Sequence, residues 1–119
     1  MSDDLTLDDW LESTAEKRAE MLTYSKSMIP NDVGARHQDV SKALDLGQDA
    51  GDLLADVEQY LSVALSIAVL EARKEHDAKT ALVVANAAVA KITRLRDGLA
   101  VLYRTIKDRR FSLMNLNRA

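Results

Sequence analysis

From Ala85 to Ile106 an apolar residue returns at alternating spacings of three and four: Ala85, Ala88, Ile92, Leu95, Leu99, Leu102 and Ile106. Three heptads of this pattern demand a helix that packs along one seam, as in a coiled coil or bundle, and fit neither strand alternation nor a loop. Ile92, Leu95, Leu99, Leu102 and Ile106 are the expected core or oligomer seam. The small Ala85, Ala87, Ala88 and Ala90 permit close helix approach at one end. Gly98 lies inside the pattern, where glycine costs about 1 kcal/mol of helix propensity relative to alanine; it is expected to mark tight packing.

A second stripe precedes this one: Leu54, Val57, Leu61, Leu65, Ala68 and Ala72. The polar EARKEHDAKT between the two predicts a reversal near Asp77–Thr80. At the N-terminus Thr6 is placed to cap a helix, with Asp9 three residues on and Leu5 and Trp10 placed for a hydrophobic staple. That helix is expected to run to about Met28, before Pro30. Pro30, Gly34, Gly47 and Gly51 crowd one interval, which reads as a turn-rich linker with a short helix over VSKALDL. Asp49 or Asp52 would then cap the next helix. The expectation is an all-α chain, a single helical domain over 1–119. It comprises an N-terminal helix (1–29), a linker (30–51) and an elongated helical hairpin or bundle (52–113). A thin hairpin cannot bury its own apolar faces, so assembly as a homo-oligomer is expected.

Cysteine is absent, which excludes disulfides, thiol nucleophiles and thiolate metal sites. The apolar LSVALSIAVLEA is followed at once by RKEHD and reads as too short to cross a bilayer. MSDDLTLDD lacks the basic region of a signal peptide. A cytoplasmic protein with no membrane partner is the expectation. There is no glycine-rich phosphate loop and no HExxH, and His37 and His76 stand far apart. Asp9 and Glu12 suit the positive first turn of a helix, while Glu71, Glu75 and Asp77 alternate with Arg73, Lys74 and Lys79 as helix-surface pairs. Neither a catalytic residue nor a metal or cofactor site is expected, and the chain is not expected to be an enzyme.

Charge is distributed unevenly. Residues 1–30, 31–60, 61–90 and 91–119 carry net charges of −4, −5, 0 and +6, within a total of −3. A negative front and a positive end suit head-to-tail self-association, or a basic surface kept specific by an acidic remainder. Continuing the heptads past Ile106 puts Arg109 where an apolar residue is due. A guanidinium there needs a carboxylate, solvent or an anionic ligand. Arg96, Tyr103, Arg104, Lys107 and Arg110 share one side of the helix, with Phe111 adjacent. Cations that track phosphates beside an aromatic for base stacking are the ingredients of sequence-independent single-strand binding. The plainer alternative is that these cations stabilise the helix C-terminus and solubilise the surface, with Phe111 in the core.

Two stretches, EMLTYSKSM (Glu20–Met28) and LRDGLAVLYRTIKDRRFSLMN (Leu95–Asn115), resemble segments of the UvsY-like recombination mediator family of tailed bacteriophages. The likeness lies in a late helix with Ile106, Lys107, Arg109 and Phe111, and in Tyr24, Ser25 and Lys26 earlier. It covers about a quarter of the chain; the alanine-rich ALVVANAAVAK departs from it. The resemblance implies a homo-oligomer that binds single-stranded DNA and helps a RecA-like recombinase onto DNA coated by single-strand binding protein, in the host cytoplasm. It implies nucleic-acid-binding roles for Lys107, Arg109 and Phe111, to which charge and spacing add Arg104 and Arg110. The rival expectations are a non-enzymatic phage structural or assembly-chaperone protein, whose basic end docks on an acidic protein surface, and a small regulatory helical module.

Overall fold

The structure, a computed structural model, describes residues 6–118. It has four helices, α1 (Leu7–Lys26), α2 (Val33–Ala72), α3 (Ala78–Ala88) and α4 (Ala90–Arg118), and no strand among the described residues. Thr6 caps α1 by accepting from the Asp9 amide at 3.1 Å, with Asp8 and Asp9 in the positive first turn. Leu5, the other half of the expected staple, lies outside the described residues. The helix ends at Lys26, and Pro30 follows closely.

The interval from 30 to 51 is not a linker. Asp32 accepts from the Ala35 amide at 2.9 Å and starts a helix that runs unbroken for 40 residues, so Asp49 and Asp52 lie within α2 and cap nothing. Its glycines are there for space, since none has a positive φ. A Cβ on Gly47 would stand 3.6 Å from Ile106 Cγ2, and one on Gly51 would stand 3.2 Å from the Tyr103 ring. At Gly51 glycine lets α4 approach α2 closely, whereas a methyl group at Gly47 would make an ordinary contact.

The chain divides into two compact units. The first holds α1, α2 up to Gly51 and α4 from Val101. Its core is built from Trp10, Met21 and Tyr24 of α1, Ala43, Leu46 and Ala50 of α2, and Ile106 and Leu113 of α4. Full burial of a side chain such as Leu113 contributes about 1.5–3 kcal/mol. An ion pair from Lys17 to Asp49, at 3.2 Å, ties α1 to α2 at the surface.

The second unit spans Asp52–Ala100. Here α2 ends at Ala72, a turn follows, and Asp77 caps α3 by accepting from the Thr80 amide at 2.8 Å. The reversal is thus where the polar stretch predicts it, a few residues early. Val89 alone separates α3 from α4, yet its amide still bonds back to Ala85 and its carbonyl still accepts from Thr93. The break shifts the seam. Ala81, Ala85 and Val89 are buried, whereas Ala88 is exposed. Farther along, Leu99 and Ile106 are buried and Ile92, Leu95 and Leu102 are half-buried, so the seam serves packing within one chain. Gly98 is a correction: a Cβ there would meet nothing within 4 Å.

Val57, Leu61, Ala72, Ala81, Ala85, Val89 and Leu99 form the core of this second unit, and it is made largely of small side chains. Val63, Ile67 and Leu70 of α2, together with Leu82 and Val83 of α3, face solvent. An 18-residue window of α2 has a mean hydropathy of 1.6 with only 11% of it buried. By length and composition alone α2 is therefore long and apolar enough to cross a bilayer, contrary to the expectation from the shorter LSVALSIAVLEA.

Candidate nucleic-acid interface

The last turns of α4 present two different sides. Ile106, Arg109 and Leu113 recur at spacings of three and four and are buried; Arg104, Lys107 and Phe111, spaced three and four on the other side, are exposed. Helical periodicity alone accounts for this division.

Arg109 belongs to the inner side. Its Nε and Nη2 donate to Asp39 Oδ2 at 3.1 and 2.9 Å. Its Nη1 donates to the carbonyls of Tyr24 (3.1 Å) and Ser27 (2.6 Å), and Nη2 donates to that of Met28 at 3.3 Å. Those carbonyls close the C-terminal end of α1, where the helix dipole is negative and a cation is favoured. The guanidinium also lies over the Tyr24 ring, 4.3 Å from its centroid. Every N–H of the group is engaged, and Arg109 is only 8% exposed. Of the three outlets open to a guanidinium in the seam, the carboxylate is the one taken. Arg109 is therefore withdrawn from the expected nucleic-acid-binding set, because contact with a phosphate would require this buried pair to open.

Tyr24 completes the cluster. Its hydroxyl donates to the main-chain carbonyl of Asp39 at 3.1 Å. Burial pushes its pKa up to about 12; the neighbouring Asp39 adds to the rise and Arg109 opposes it. The phenol is thus held in its neutral, donating form. Arg109 and Tyr24 lie in the two stretches quoted above for the family resemblance, and those stretches meet at this cluster.

The remaining four candidates stay on the outer surface or at its flank. Arg104 and Lys107 are exposed, and Phe111 is 46% exposed rather than a core residue. Arg110 is half-buried, its guanidinium 5.1 Å from the Phe111 ring centroid, and its Nε is buried without a hydrogen-bond partner. Lys107 sits 5.9 Å from the Tyr103 ring centroid. Among the described residues none of Arg104, Lys107 and Arg110 forms an ion pair, in contrast to Arg96, which is held by its neighbour Asp97 at 3.0 Å. The surface thus offers three uncompensated cations and one exposed ring, Phe111, within about two turns of one helix. Asp108 is the single acid among them.

Asp39 and the α1 carbonyls were not legible as partners of Arg109. The only signal was the interruption of the heptads, which announces a need without naming what meets it. No family model, curated protein or solved structure matches the chain.

Proposed function

We propose that the protein is a non-catalytic, oligomeric single-stranded DNA-binding protein that acts as a recombination mediator and assists loading of a RecA-like recombinase. The observation that carries the DNA-binding part is the cationic side of α4, where Arg104, Lys107 and Arg110 lack carboxylate partners and Phe111 stands beside them exposed. Cations on a helix side match the spacing of a flexible phosphate backbone, and an exposed ring accepts a base of any identity. A chain of net charge −3 confines that contact to this side and repels the polyanion elsewhere. The mediator role and the recombinase rest on the resemblance carried by Glu20–Met28 and Leu95–Asn115.

The test is fluorescence anisotropy with a labelled single strand over a range of salt. The affinity is expected to be independent of sequence and to fall steeply as salt rises. The triple charge reversal R104E/K107E/R110E is expected to abolish binding with helicity unchanged; undiminished affinity in that variant refutes the proposal. Arg109 is left out of the variant because its replacement unseats the core.

A further inference from the structure

We propose that the cationic side of α4 is also a docking surface for α1 of a second copy of this chain, so that self-association and single-stranded DNA compete for it. One flank of α1, beside its buried Trp10, Thr14, Met21 and Tyr24, carries Asp9, Glu12, Glu16 and Glu20, all exposed. Glu12 and Glu16 have no ion-pair partner among the described residues, and Glu20 is held only by Lys17 at 3.6 Å. Opposite charges, the acids four residues apart and the cations three, are thus displayed over similar lengths on two helices of the same unit. Glu12 to Glu20 spans about 12 Å along its axis and Arg104 to Arg110 about 9 Å, at 1.5 Å rise per residue.

The two surfaces do not satisfy each other inside one chain. Among the described residues no ion pair joins α1 to α4, and the buried Arg109 reaches the end of α1 only through main-chain carbonyls. Glu12, Glu16 and Glu20 on α1 and Arg104 and Lys107 on α4 are exposed, and Arg110 is half-buried beside them. Acid on one copy therefore meets base on the next, in a head-to-tail contact that leaves one unused surface of each kind at the ends and propagates. Exposed pairs are individually weak, worth about 0–1 kcal/mol each, and screened by salt. Such an association is modest and reversible, and a continuous polyanion displaces it. The competition rests on the DNA-binding proposal, whereas the self-association does not.

The test uses full-length chains, sedimentation at low and high salt, and circular dichroism to confirm folding. Wild type is expected to sediment above its 13.2 kDa chain mass at low salt and to approach that mass as salt rises. E12K/E16K and R104E/K107E are each expected to lose self-association alone, and to associate when mixed one to one, because only the mixture retains an acid–base pair of surfaces. Wild type that is monomeric throughout overturns the proposal. So does self-association that survives either variant, which points instead to the exposed apolar side of the second unit. A labelled single strand separates the two proposals, since E12K/E16K keeps the α4 surface. Binding by that variant at wild-type strength or better supports the competition. If R104E/K107E loses self-association yet binds DNA as wild type does, the docking surface stands and the DNA-binding proposal falls.

Discussion

Arg109 is the residue on which the first unit closes. Its guanidinium joins α4 to Asp39 of α2 and to the last carbonyls of α1, so three helices share one charge. Removal of one partner from a buried ion pair leaves the other uncompensated, at a typical cost of about 3–5 kcal/mol. Asp39→Ala is expected to destabilise the fold by that order in urea denaturation. Joint replacement by Asp39→Leu and Arg109→Met is expected to cost less than the sum of the single changes, because no lone charge remains. Tyr24 adds a pH dependence. A phenol whose pKa is raised from 10.0 to about 12 contributes stability fully present below pH 10.0, which is lost as pH climbs through about 12. Tyr24→Phe is expected to flatten that alkaline loss, read as the change in denaturation midpoint between the two proteins. Heptad spacing was enough to flag Arg109 as out of place. Its partner was hidden because Asp39 lies 70 residues earlier, in a stretch whose glycines read as turns.

At the scale of elements, the same glycines explain what was legible and what was not. Periodicity disclosed the two long apolar stripes, and the cap residues Thr6 and Asp77 were either predicted or close to the predicted turn. Glycine was misread because its two structural uses, a tight turn and a close helix crossing, leave the same letter in the chain. The crossing is visible only once α4 is in place against Gly51. Substitution separates these roles. Gly98→Ala meets no neighbour and is expected to raise stability by about 0.5–1 kcal/mol. Gly51→Ala carries the same gain in propensity, but its Cβ stands 3.2 Å from the Tyr103 ring. It is expected to raise the thermal midpoint less than Gly98→Ala does, or to lower it.

Across the whole molecule, charge is unevenly shared along the chain. Of the cations in the positive end, Arg104, Lys107 and Arg110 lie on the outer side of α4 or at its flank while Arg109 is buried, and the acids of α1 are exposed along one flank of that helix. The fold class was legible because it follows from local spacing. Which cations remain free was not, since that depends on carboxylates brought together by folding. Among the candidates, stacking and charge are separable by experiment. Phe111→Ala is expected to weaken single-strand binding by the roughly 1–3 kcal/mol of one stacked base while the salt dependence keeps its slope. Reversal of Arg104 and Lys107 is expected to flatten that slope, because fewer counterions are released.

The Arg109 clamp also imposes an order on biosynthesis. Its carboxylate and carbonyl partners emerge from the ribosome 70 to 85 residues ahead of the guanidinium that answers them. Until Arg109 has left the ribosome, nascent α1 and α2 hold a carboxylate and a helix end that this guanidinium cannot yet reach. A chain truncated before Arg109 is thus left without its clamp and open to proteases and chaperones, while one released with it can close within its own length.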